Sequence, residues 1–81
     1  MPDPIPGDAG ARVRRRIAAH EHAAGVHERA AATHDAAAEL YDGLGLSERA
    51  DQERAKAARE RAGAVADHER AARDAEGDLL Q

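Results

Sequence analysis

The chain has no cysteine, no phenylalanine, no tryptophan and a single tyrosine. It also has no run of about 18 apolar residues, the length a membrane-spanning helix needs. Each absence removes a class of protein. Without cysteine there is no disulfide framework and no thiolate nucleophile, and a cytoplasmic setting is expected. The N-terminus carries no apolar segment behind its charges, so it does not read as a secretory signal. With one aromatic residue there is no interleaved series to stack on nucleic-acid bases and no set of large side chains to wall a pocket. Large aliphatic residues are scarce too, so alanine supplies most of the 42% hydrophobic content of the 81 residues. Burying an alanine removes little area from water, at about 25 cal/mol per Å². Stability is therefore expected from helix propensity, from close helix–helix approach and from association.

The net charge of −4 offers no footprint for nucleic acid over the whole chain. Arginine outnumbers lysine by eleven to one, a bias that accompanies GC-rich coding and suggests a bacterial source.

What is present is a heptad repeat. His20, His27, His34 and Tyr41 are spaced by seven residues, two helical turns, and so form one stripe on a helix. An acidic residue follows each: Glu21, Glu28, Asp35 and Asp42. Around this stripe run two apolar lines. One contains Ala19, Ala23, Val26, Ala30, Thr33, Ala37 and Leu40; the other contains Ala24, Ala31 and Ala38 with Val13 and Ile17. Together they span a wider arc than a single partner helix can cover.

Punctuation divides the chain. Residues 1–7 alternate proline and are expected to form an extended, disordered arm. Asp8 is a candidate N-cap for a helix over about residues 9–42. Gly43 and Gly45 mark a turn at 43–47, with Ser47 as the N-cap of a second helix and Glu48 in its first turn. That helix is expected over about 48–76, with Gly77 as its stop and a short tail at 77–81. Two long helices joined by so short a turn fold back as an antiparallel hairpin. A pivot near Leu44 sets Tyr41 opposite Ser47, His34 opposite Arg54, His27 opposite Arg61 and His20 opposite His68. Leu40, Tyr41, Leu44 and Leu46 are expected to cluster at the turn, and Val13, Ile17, Leu79 and Leu80 at the open end. Around the turn, Ala38-Glu-Leu-Tyr41, Leu44-Gly45 and Ala50 resemble the turn spacing of tetratricopeptide repeats, but helices of this length exceed that repeat and no function follows from it.

The expected fold class is therefore all-α: an antiparallel two-helix hairpin, an alanine-rich coiled coil, dimerising into a four-helix bundle or completed by another protein. Ala23, Val26, Ala30, Ala37 and Leu40, with Ala24, Ala31 and Ala38, are the candidate interaction residues.

Chemistry is sparse. No nucleophile has a base and an orienting group at useful spacing, no glycine loop cradles phosphate, and no cofactor is implied, so an enzyme is not expected. Histidines seven residues apart are too far apart to share one ion from a single helix. A metal site would need His20 with His68 across the hairpin, assisted by His22. His27 and His34 are candidate pH sensors, because facing arginines would disfavour imidazolium. Arg12, Arg14, Arg15 and Arg16 form a basic patch that could touch phosphates. The expected function is a small non-catalytic interaction or scaffold module, acting as a homo-oligomer or with one protein partner. The alternatives are a pH- or metal-responsive module using the His20/His27/His34 stripe, and a helical stress-protective protein.

Overall fold

A computed structural model describes residues 5–79 of the chain as two helices, α1 (Ile5–Gly43) and α2 (Ser47–Leu79), packed side by side as a hairpin with Cα dimensions of 69 × 21 × 11 Å. The turn follows from one glycine. Gly45 has φ of +75°, and no other described residue has a positive φ, so the left-handed position falls where no side chain opposes it. The Gly45 amide donates to the Asp42 carbonyl at 3.0 Å and the Leu46 amide to the Tyr41 carbonyl at 2.9 Å. This is the Schellman closure, which satisfies the last carbonyls of α1 while reversing the chain.

The ends differ from the sequence expectation in four places. Ile5, Pro6 and Gly7 already belong to α1, so the expected arm does not reach residue 7, and Asp8 lies within the helix instead of capping it. Proline is tolerated there because first-turn amides have no intrahelical acceptor. Residues 1–4 lie outside the described residues. At the turn, the Leu46 carbonyl accepts the first bond of α2, from the Ala50 amide at 3.0 Å. Ser47 is thus the first helical residue and not the cap, while Glu48 does occupy the first turn. At the far end α2 continues through Gly77 to Leu79. Glycine permits a left-handed stop but does not impose one, and Gly77 keeps a negative φ. Residues 80–81, including Leu80, lie outside the described residues.

The core is made of alanine. Ala24, Ala31 and Ala38 of α1 and Ala50, Ala57, Ala64 and Ala71 of α2 are each at most 5% exposed, and no large side chain is fully buried. Each set repeats every seven residues, so it draws one line along its helix. The two lines run antiparallel along the hairpin, facing each other. The described leucines expected to cluster stay at the surface. Leu40 and Leu44 are 64% exposed, Leu46 43% and Leu79 85%. A seam narrow enough for alanine has no room for them.

The seam should therefore be intolerant of bulk. Ala57→Leu is expected to destabilise the hairpin by about 1–3 kcal/mol through overpacking. Ala55→Leu, on the exposed side of α2, should change stability by no more than about 0.5 kcal/mol. Urea titration followed by circular dichroism compares the two.

Candidate functional site

The polar chemistry is concentrated beside the alanine seam, and helix geometry explains why. Counting from each buried alanine, the residue three positions on lies about 60° to one side of the line and the residue four positions on about 40° to the other. When two helices pack antiparallel, like sides meet. The third residues of α1 therefore face the third residues of α2, and the fourth face the fourth. The result is two lateral rails of charge, one on each side of the core.

The first rail sets the histidine stripe of α1 against Glu53, Glu60, Asp67 and Asp74 of α2. His34 Nδ1 lies 2.6 Å from Glu53 Oε2, and His27 Nδ1 lies 2.6 Å from Glu60 Oε2. A carboxylate only accepts, so each Nδ1 carries the proton and donates it. His27 also turns Nε2 to within 3.5 Å of Asp67, a residue only 6% exposed. One imidazole thus spans two carboxylates a heptad apart. Arg70 shares Asp67 from the next turn at 2.9 Å, as Lys56 shares Glu53 at 3.2 Å. His20 Nε2 is 3.5 Å from Asp74, and the same carboxylate oxygen is 3.8 Å from Arg16 Nε. That oxygen is buried without a hydrogen bond, so the rail is looser toward the open end. At the turn end the stripe closes with Tyr41, whose ring has the Arg49 guanidinium 5.9 Å from its centre, a cation–π contact.

Gly63 makes room for this arrangement. A Cβ built there would stand 3.0–3.1 Å from three atoms of the His27 ring, so the imidazole lies flat over the backbone between Glu60 and Asp67. Mid-helix glycine costs roughly 1 kcal/mol relative to alanine. Its presence here is explained by close approach.

The second rail runs with the opposite polarity. Asp42 pairs with Arg54, Asp35 with Arg61, and Glu28 with His68 at 3.0 Å. These carboxylates are the acids that follow the His27, His34 and Tyr41 heads of the heptads. The Arg61 hydrogen bond holds the Asp35 carboxyl below the usual carboxylate range, with only burial opposing it. The His34 hydrogen bond likewise lowers the Glu53 carboxyl, helped by Lys56 and opposed by burial.

Several sequence expectations are corrected by this register. Arg54 and Arg61 do not face His34 and His27: they belong to the other rail, and carboxylates face the rings instead. The premise for disfavouring imidazolium at His27 and His34 therefore fails. His20 and His68 are not opposite each other. They sit on different rails with Asp74 and Glu28, and His22 is exposed on the outside of α1. The three are not brought together, and no cluster of His, Cys, Asp or Glu among the described residues is arranged to hold a metal ion. Of the apolar candidates, Ala24, Ala31 and Ala38 are used up in the hairpin core. Ala23, Ala30 and Ala37 are half-buried at its edge, and Val26 and Leu40 are exposed. Arg12, Arg14, Arg15 and Arg16 are all exposed but spread around the first turns of α1, because consecutive residues point in different directions. The carboxylate partners could have been found from sequence by drawing the α2 line through Ala50, Ala57, Ala64 and Ala71 and counting three residues on. No helix among the described residues is long and apolar enough to cross a membrane. In comparisons with known proteins, no family model, no curated protein and no solved structure matches the chain.

Two measurements test the rails. Gly63→Ala should gain helix propensity but crowd His27, so it is expected to be neutral or destabilising in the parent. In a His27→Ala background the same change should stabilise by about 1 kcal/mol, the propensity difference alone. Acid should weaken the fold through the lowered carboxyls. Glu53 and Asp35 hold their protons less tightly in the hairpin than in the unfolded chain. Their contribution is therefore complete above the ordinary carboxylate range, about 4 to 4.5, and is lost as pH falls through the folded values. Urea midpoints should fall below that range, and Glu53→Gln should flatten part of the fall.

Proposed function

We propose that the chain is a small, non-catalytic helical interaction module, completed either by a second copy into a four-helix bundle or by another protein. The observation that carries this reading is the outer apolar line of α1. The hairpin covers Ala24, Ala31 and Ala38 with its own second helix, but leaves Val26 47% and Leu40 64% exposed beside Ala23, Ala30 and Ala37. An alanine-only core supplies little hydrophobic stabilisation by itself, so a surface that adds apolar burial is worth more here than in a leucine-packed hairpin.

A second reading is a pH-responsive module, supported by His27 and His34 sitting against Glu60, Asp67 and Glu53. A double-mutant cycle on His34 and Glu53 should show a coupling energy that differs between about pH 5.5 and about pH 8. Equal coupling at both values would remove this reading.

The leading reading is tested by sedimentation equilibrium with thermal melts across protein concentration. The expected outcome is either association, with a melt that rises with concentration, or a monomer of marginal stability. A proven monomer melting above about 65 °C independently of concentration would show that nothing is needed to complete the fold.

A further inference from the structure

Resting on that reading, we propose that the broad face bordering the histidine rail is a docking surface for an acidic amphipathic helix of another protein. The argument starts from the same heptad count. The positions one before and two after each buried alanine lie beyond the histidine rail, and antiparallel packing sets those of α1 and α2 on one side of the hairpin. Ion pairs locate them there: Lys56 reaches Glu53, Arg70 reaches Asp67, and Arg16 approaches Asp74.

The two halves of this face differ in kind. From residue 19 to residue 40, the α1 half carries no charge: Ala23, Ala30 and Ala37 alternate with Val26, Thr33 and Leu40. On α2 the corresponding positions supply Arg49, Lys56, Arg59, Arg70 and Arg73, with no acid among them. The carboxylates of that side lie beneath, in the seam, turned to the histidines. A depression of about 260 Å³ opens between the halves near the turn, lined by Tyr41, Arg49, Gln52, Glu53 and Lys56. Arg49 and Gln52 there offer donors to a carboxylate side chain, while Lys56 and His34 hold the Glu53 carboxylate.

An occupant must therefore present an apolar stripe to α1 and a row of acids to α2. Small residues let a third helix come close, and the basic row fixes which side of that helix faces inward. A second copy laid α2 on α2 would set two basic rows against each other, and one laid α1 on α2 would offer each basic row an uncharged line with no acid to meet it. A nucleic acid would use the basic row but leave the apolar half exposed to water. An anionic membrane would find only Val26 and Leu40 to bury over the length of α1, too little to anchor it.

The test uses the full chain and a fluorescent four-heptad peptide with a leucine–alanine seam flanked by glutamates. The controls are the same peptide flanked by lysines, a DNA duplex, and phosphatidylserine vesicles. The glutamate peptide is expected to bind more tightly than the lysine peptide by at least about tenfold, with affinity falling as salt is raised. Arg59→Glu with Arg73→Glu should reduce that binding by about tenfold or more, with helicity and melting point retained because both side chains are exposed. Leu40→Asp should reduce it as well. Equal binding of the two peptides, no binding of either, tighter binding of duplex or vesicles, or undiminished binding by the charge-reversed variant would each overturn the proposal. Self-association abolished by Leu40→Asp but untouched by charge reversal would assign the face to a second copy. That outcome also overturns the proposal, while leaving the interaction-module reading in place.

Discussion

The close approach of two alanine lines is the constraint on which the rest of this hairpin depends. Alanine contributes little burial, but it lets two helix backbones come near enough for short polar side chains to meet across the gap. His34 and Glu53 touch at 2.6 Å on one side, and Glu28 and His68 at 3.0 Å on the other. Leucine at the core positions would push these partners apart. The same narrowness explains why Leu40, Leu44 and Leu46 remain outside, and why a glycine faces the His27 ring in the middle of the seam.

Charge here does the work that shape does in a leucine-packed coil. Flat alanine surfaces slide easily past one another, because they offer few knobs and holes to lock a register. The rails supply that lock. The histidine rail meets acids and the acidic rail meets arginines, so a shift of a few residues or a rotation of one helix would set like charges against each other or strand a half-buried carboxylate. Exposed ion pairs contribute little to stability individually. Their collective effect on register is a matter of specificity, the difference between one arrangement and its neighbours.

Functionally, the two broad faces are unequal. On one, acids of α1 and bases of α2 largely satisfy each other. On the other, the acids are drawn down into the seam by the histidines, where Lys56 and Arg70 also reach Glu53 and Asp67, and the remaining cations of α2 lie at the surface beside an uncovered apolar line. The intramolecular pairing therefore creates an asymmetry that overall composition conceals: an acidic chain presents one basic, half-apolar face. This is why the net charge is a poor guide to its partners.

Much of this was legible from residue order. The heptads identify helices, and Gly43 with Gly45 identify the reversal, because both are local or periodic properties of one chain. The side on which each charged stripe would lie was not assigned correctly, although its ingredients were present. His27 follows Ala24 by three residues and Arg61 follows Ala57 by four, so they fall on opposite sides of the seam despite being nearly opposite in sequence count. The helix ends were also misjudged at Asp8, Ser47 and Gly77, where weak terminal preferences gave way to continued helix. By itself the sequence determined two long helices, their antiparallel return and an alanine core, since periodicity and backbone chemistry suffice for these. Only the tertiary structure decided how closely the rails approach, that the His27 ring spans two carboxylates and which face stays open, because those depend on the distance and rotation between the helices, quantities that no single helix encodes.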